Sequence, residues 1–268
     1  MPKPHQVVDL SIIVPTYQAK ALAHRSAAIL HDFLGGLGLT FEVILVDDGS
    51  DPESRPDPRR LPAEARLVQL PVNRGKGSAV RTGLLDARGR CRIFTDVDLP
   101  YGLNSLVTCY ETIRGGADFV YGDRSLPAST LVARPSWRRR LSSVVFRSAV
   151  STIAGLRPTD TQCGLKGFDG AVADALAPLL QTDHFAFDVE IFRCALDNGL
   201  DGRPIPVQLV NGDVSTVRLL RDSMTMFQDL VTIRRRAMRG DYRSAAVTRA
   251  RQSDKVEPGA ARLRGAAS

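Results

Sequence analysis

The chain alternates two kinds of apolar patterning. Short runs at VVDLSIIVP (7–15), FEVILVDDG (41–49), ARLVQL (65–70), CRIFTDVD (91–98) and ADFVYGD (117–123) predict strands. Several are apolar almost throughout, as suits strands covered on both faces. Between and after them, apolar residues recur at helical spacing. Val80, Leu84 and Leu85 mark one face after Gly77, and Phe187, Ile191 and Ala195 mark another. A longer stripe of Val217, Leu220, Met224, Phe227 and Val231 runs through residues 214–238. The alternation predicts an α/β fold: a predominantly parallel central sheet flanked by helices, ending in an amphipathic C-terminal helix. Residues 51–62, rich in Pro, Asp and Arg, predict a loop. Residues 1–242 are expected to form a single domain, followed by a basic, disordered tail over 243–268.

The bulk numbers narrow the classes. At 268 residues, one sizeable core is expected. No apolar run approaches the length of a bilayer span, and the N-terminus lacks the apolar core of a signal peptide, so a cytoplasmic site is the default expectation. Cys91, Cys109, Cys163 and Cys194 are scattered without a CxxC pair, which predicts buried thiols over disulfides or a zinc site. The net charge of +7 is uneven, with runs at 138–140, 234–236 and the chain end. Nucleic acid, an anionic membrane surface or phosphorylated substrates would suit such runs, and so would a merely solvated surface.

Candidate chemistry collects at strand ends. Asp47 and Asp48 close one strand run, and Asp96 and Asp98 close another. In open α/β sheets ligands bind beyond the carboxyl ends of the strands, so both acidic clusters belong to one edge. Gathered carboxylates repel unless a cation joins them, and hard ions such as Mg²⁺ or Mn²⁺ take oxygen ligands together with substrate phosphates. Either cluster alone could be a strand-ending turn; the two together favour a metal–phosphate site. Between them, NRGKGSAVRTG sets Lys76 between Gly75 and Gly77 at the start of a helix, where backbone N–H groups can approach an anion. The loop matches neither GxxxxGK[ST] nor GxGxxG.

Taken in order, SIIVPTYQ, VDDGS, NRGKGSAVRTG, TDVDLP, YGDRS, TDTQCGLKGF and FAFDVEIF resemble the motifs of family 2 glycosyltransferases, over residues 10–236. The similarity is greatest to the polyprenyl- and dolichyl-phosphate glucose and mannose synthases. The resemblance implies a GT-A nucleotide-sugar-binding fold. It implies that Pro15, Thr16, Tyr17, Asp47 and Asp48 hold the nucleoside and that Lys76 lies near the base or its phosphates. Asp96, Val97 and Asp98 would occupy the DxD position, with Asp96, Asp98 and Gln162 holding Mg²⁺ or Mn²⁺. Asp160 would be the base or a positioning carboxylate, acting with Asp98. For the acceptor phosphate, Arg124, Arg134 and Arg139 are candidates because guanidinium pairs well with phosphate oxygens, the alternative being a solvated loop and helix face; Arg218 has a phosphate-meeting counterpart in the family, the alternative being a helix-face arginine. The AFDVE and DTQCG motifs tilt the donor towards UDP-glucose, with GDP-mannose as the alternative.

The implied activity is inverting transfer of a hexose to a polyprenyl or dolichyl phosphate. The competing reading keeps the fold but uses a soluble hydroxyl acceptor, for which Asp160 must take a proton. A non-catalytic basic scaffold leaves the four motif carboxylates unexplained, and no nucleic-acid partner is expected. Asp188 and Glu190 could cap or decorate a helix, and His184 receives no role. The apolar stripe of 214–238 can face the core, a second copy of the chain, or a membrane, which leaves a homo-oligomer and peripheral contact with the inner membrane face open.

Overall fold

The computed structural model describes residues 7–131, 150–156, 160–210 and 221–252. β1 (Val8–Thr16), β2 (Phe41–Asp47), β3 (Ala65–Gln69), β4 (Gly89–Phe94) and β5 (Phe119–Gly122) form where the apolar runs predict them. Their neighbours in one seven-stranded sheet are β7 (Lys166–Asp169) and β8 (Gly202–Ile205), in the order β3-β2-β1-β4-β7-β5-β8. All pairings are parallel except those of β7, which runs antiparallel to both β4 and β5. β6 (Thr130–Leu131) and β9 (Gln208–Leu209) pair separately.

The near-continuous apolar runs are explained by burial on both faces. Along β1, Leu10, Ile12 and Val14 enter one core layer and Ile13 the opposite one, as the two-residue period of a strand requires. The first layer is covered by α1 (Lys20–Gly35) and α3 (Leu103–Arg114). The second is covered by α2 (Lys76–Asp86), α4 (Gly170–Leu176) and α5 (Phe187–Asp197). In α5, Phe187, Ile191 and Ala195 are all buried, as their spacing predicts.

Two patterns are corrected. Val80 and Leu84 are buried in α2, but Leu85 is 51% exposed because one further residue turns it off the packed face. In α6 (Arg221–Arg239) the packed face is Met226, Leu230, Ile233 and Ala237, and Phe227 points outward at 53% exposure. The register of this helix follows a polar anchor: Arg236 turns inward to pair with Glu190. Val217 and Leu220 lie outside the described residues.

Nor is the chain beyond 242 wholly a tail. Tyr242 is fully buried, and Ala245–Gln252 form α7, with Val247 also fully buried. Residues 253–268 of the expected tail lie outside the described residues. All four cysteines are free and buried. Among the described residues no helix is long and apolar enough to cross a membrane.

Candidate active site

The strand order reverses around β1, which has β2 on one side and β4 on the other. Such a switch point opens a crevice at the carboxyl ends of the strands, where the segments after β1, β2 and β4 meet. Thr16 aligns with Asp47 in register, the Asp48 N–H donates to the Thr16 carbonyl (2.9 Å), and the Thr95 N–H donates to the Ile13 carbonyl (3.0 Å). Pro15, Thr16 and Tyr17 therefore stand beside the acid pair of β2. Pro15 is buried, the Thr16 hydroxyl is buried without a protein partner, and Tyr17 is half exposed.

The two acids ending β2 are turned into the protein. Asp47 is fully buried, accepts from the Ser50 N–H (3.2 Å) and hydroxyl, and lies 3.6 Å from Arg55 Nε. Asp48 accepts from the backbone N–H groups of Arg74 (3.0 Å) and Gly75 (2.7 Å), which ties the basic loop to β2. Gly75 has φ of 114°, and a Cβ there would lie 2.5 Å from the Asp183 carbonyl oxygen. The same carbonyl accepts from the Gly77 N–H at 2.8 Å. The glycines thus serve close packing against residues 182–184. The N–H groups of Gly75 and Gly77 are committed to protein acceptors, and the side chain of Lys76 is what the loop presents to the site.

Lys76 pairs directly with Asp96. Burial alone would lower the lysine pKa, but Asp96 and the nearby Asp188 raise it. Asp98 lies one step further along the turn, and burial together with the charge of Asp96 pushes its carboxyl above the usual range. The Val97 carbonyl between them accepts from the Ser26 hydroxyl of α1, which fixes the turn to a helix. On the other side the segment 160–164 closes over Asp96. A Cβ on Gly164 would lie 2.1 Å from Asp96 Oδ2, so only glycine fits that approach. The Gly164 N–H donates to the Tyr101 hydroxyl at 2.7 Å, and that hydroxyl lies 3.5 Å from Asp96 Oδ2. Gln162, two residues earlier, has a buried amide nitrogen without a protein partner.

The donor chemistry fits a hard divalent ion. Among the described residues no three His, Cys, Asp or Glu side chains converge. A cation at Asp96 and Asp98 would take further oxygens from an amide, water and phosphate, the ligand set Mg²⁺ and Mn²⁺ accept.

Asp160 and Arg124 form one unit. Arg124 donates from Nε to Oδ2 and from Nη2 to Oδ1, both at 2.7 Å, and its backbone N–H donates to Oδ2 at 3.1 Å. Burial would raise the Asp160 pKa, but these hydrogen bonds and the guanidinium charge hold it below the usual carboxylate range. Asp123 positions the arginine, since its carboxylate accepts from the Ser125 N–H and hydroxyl in the GDRS turn. Arg134, Arg139 and Arg218 lie outside the described residues.

Several residues of the site carry no assignment from the motifs. Lys166 is fully buried on β7, where it pairs with Asp188, donates to the Cys163 carbonyl (2.7 Å) and lies over the Phe94 ring. Burial pushes Asp188 up, and it pushes the adjacent Cys163 thiol up to about 11. Glu190 is buried as well, accepting from the N–H groups of Gln181 (2.9 Å) and Thr182 (2.7 Å) and from the Tyr242 hydroxyl (2.8 Å). The carboxylate of Asp183 gathers Arg74 and Arg81. A lysine inside the apolar stretch CGLKGF is the one sequence signal that points to such a buried pair.

A doubly covered sheet with a switch-point crevice, an acidic turn, a lysine and an arginine–carboxylate unit defines the class: a GT-A glycosyltransferase. Residues 11–157 match the model of Glycosyl transferase family 2, and the chain belongs to that family. It is 30% identical over 254 residues to a dolichyl-phosphate beta-glucosyltransferase of Dictyostelium discoideum, covering 88% of this chain and 77% of that protein. A protein of the same name from Saccharomyces cerevisiae is 30% identical over 261 residues, with the same coverage. Glucosyl-3-phosphoglycerate synthase from Mycobacterium tuberculosis, solved with Mn²⁺, uridine-diphosphate-glucose and phosphoglyceric acid, shares the fold. Its TM-score is 0.54 at 17% identity, over 89% of this chain and 81% of that one.

Proposed function

We propose that this glycosyltransferase moves glucose from UDP-glucose to a polyprenyl phosphate with inversion at the anomeric carbon. The relatives, dolichyl-phosphate beta-glucosyltransferases, support the glucose, the β linkage and the lipid phosphate. The observation that carries the acceptor half is the bidentate Arg124–Asp160 pair. A hydroxyl acceptor needs a base with a free lone pair and a pKa near neutrality. Asp160 has both oxygens engaged and a lowered pKa, which suits a carboxylate that aims a guanidinium. A phosphate monoester is already anionic and needs a cation to place it, and Arg124 is that cation in this reading.

In the reaction, an acceptor phosphate oxygen forms the bond to the anomeric carbon on the face opposite the nucleotide. The bond from that carbon to the diphosphate oxygen breaks, and its electron pair leaves with UDP. Pro15, Thr16 and Tyr17 frame the nucleoside with the loops that Asp47 and Asp48 hold. Lys76 faces the diphosphate, and Asp96, Asp98 and Gln162 would hold Mg²⁺ or Mn²⁺ beside it. A divalent ion there supplies charge stabilisation as the diphosphate leaves.

The test is release of UDP or GDP from a panel of nucleotide sugars, with either metal, in the presence and absence of a short polyprenyl phosphate. The reading expects UDP-glucose to be used, release to need both metal and lipid phosphate, and Asp98→Ala to abolish it. Release stimulated by a soluble hydroxyl acceptor alone would overturn the acceptor assignment.

A further inference from the structure

Lys166 and Asp188 form a buried ion pair outside the donor and acceptor contacts of the transfer reaction. Lys166 opens β7 with its side chain wholly shielded from solvent, and Asp188 stands buried in the first turn of α5. Aromatic rings enclose the pair: the Lys166 ammonium lies 5.3 Å from the centre of the Phe94 ring and 5.9 Å from that of Phe192. Such a pair is a poor device for stability, because uncharged residues that fill the same volume commonly hold a fold as well. What uncharged, apolar residues cannot do is aim a charged donor at one backbone atom. Lys166 donates to the Cys163 carbonyl at 2.7 Å. That carbonyl shares its peptide unit with the Gly164 N–H, which donates to the Tyr101 hydroxyl, also at 2.7 Å. One peptide is therefore gripped at both of its polar atoms, and it leads into the glycine that lies against Asp96. The charge of Asp188 also acts on Lys76, which pairs with Asp96. From the acidic turn to β7, the row Asp96, Lys76, Asp188, Lys166 alternates in sign.

We propose that Lys166 and Asp188 are positioning residues for the diphosphate half of the donor site. Lys166 and Tyr101 clamp the 163–164 peptide, and the clamp seats Gly164 against Asp96. Asp188 holds Lys166 in place and shares Lys76 with Asp96. The acidic turn and the lysine then meet the diphosphate and its divalent ion in one fixed arrangement. A small hard cation is exacting in this respect, since Mg²⁺ demands near-octahedral geometry and tolerates little displacement of its ligands. Partners that orient a metal ligand from behind accordingly carry much of a site's affinity. The proposal rests on the donor reading above, in which Lys76, Asp96 and Asp98 serve the diphosphate, while the nucleoside falls to Pro15, Thr16 and Tyr17 at the end of β1.

The test uses the full chain and three measurements: UDP binding with Mg²⁺ by calorimetry, uridine binding by NMR titration, and Tm. The double variant Lys166→Met/Asp188→Asn keeps the volume of both side chains and removes both charges. Its Tm should stay near the wild-type value and its uridine affinity should be unchanged, while UDP binding weakens by about tenfold or more. Tyr101→Phe releases the same peptide from its other side with the ion pair intact. It should repeat the pattern, with UDP weakened several-fold and uridine unaffected, and it decides the matter if the double variant does not fold. Variants that bind UDP like the wild type would overturn the proposal. So would equal losses of UDP and uridine binding together with a fall in Tm, which would leave the pair a purely structural role. A wild-type chain that binds uridine but gains nothing from the diphosphate would instead overturn the donor reading, and this proposal with it.

Discussion

At Asp160 a single carboxylate could take a proton or hold a cation, and its surroundings separate the two roles. In Asp160→Asn, Arg124 keeps one acceptor but loses the charge that aligns it. The expected result is a fall in kcat/KM of roughly 10–100-fold, carried mainly by a higher KM for the acceptor phosphate. Because Asp160 is ionised throughout the range of about pH 6 to 8, the shape of the pH–rate profile should match the wild type there. A variant that loses only kcat and a limb of that profile would restore Asp160 as the base. Gly164 offers a second test, since its contact with Asp96 is backbone to carboxylate. Gly164→Ala should displace Asp96 and weaken metal-dependent UDP binding by about tenfold or more in calorimetry, whereas Gly35→Ala, with open space around its Cα, should not.

The elements are held in place by buried carboxylates. Glu42, on β2, accepts from the Ser11 hydroxyl on β1, from the Arg88 N–H before β4 and from Arg66 on β3, so one side chain staples four segments. Burial would raise its pKa, but the Ser11 and Arg88 hydrogen bonds and the Arg66 charge lower it. The folded state therefore holds the proton less tightly than the unfolded chain. Its stabilising effect is present above the ordinary glutamate value and lost as pH falls through the folded one. Glu42→Gln should cost about 1–3 kcal/mol at neutral pH, and its Tm should converge on the wild-type Tm under acid conditions. The first five strands and the helices α2, α5 and α6 were legible because their apolar runs have the right length and period; α7 was not, because its short Ala- and Arg-rich stretch carries a single buried apolar residue, Val247. β7 was not, because KGFD is four residues with a lysine at its head, and only the pairing with Asp188 makes that lysine a core residue. The face of α6 was misread for the same reason: Arg236, a residue no apolar pattern would bury, sets its rotation. In the site, strand-end acids and the lysine loop could be read from position alone. The Arg124–Asp160 unit could not, because it joins residues far apart in sequence.

Across the whole molecule, Glu190 links the C-terminal helices to the glycine-rich loop around Lys76. Arg236 and Tyr242 hold one of its oxygens, Gln181 and Thr182 hold the other, and the next residue, Asp183, receives the Gly77 N–H. Breaking this pair by Glu190→Gln should cost roughly 3–5 kcal/mol. It should also weaken UDP binding in a protein still folded at low temperature, as calorimetry and a thermal melt together would show. β7 has a further consequence, for synthesis. It is the one antiparallel strand of the sheet, and it lies between β4 and β5 although both precede it in the chain. On the ribosome, β4 can therefore pair with β1 while its other edge stays bare until residues 166–169 emerge. An unpaired edge invites association with other chains. The glycine that fits against Asp96 arrives with the same segment, so the nascent chain closes the open edge of β4 and completes its acidic turn in one event.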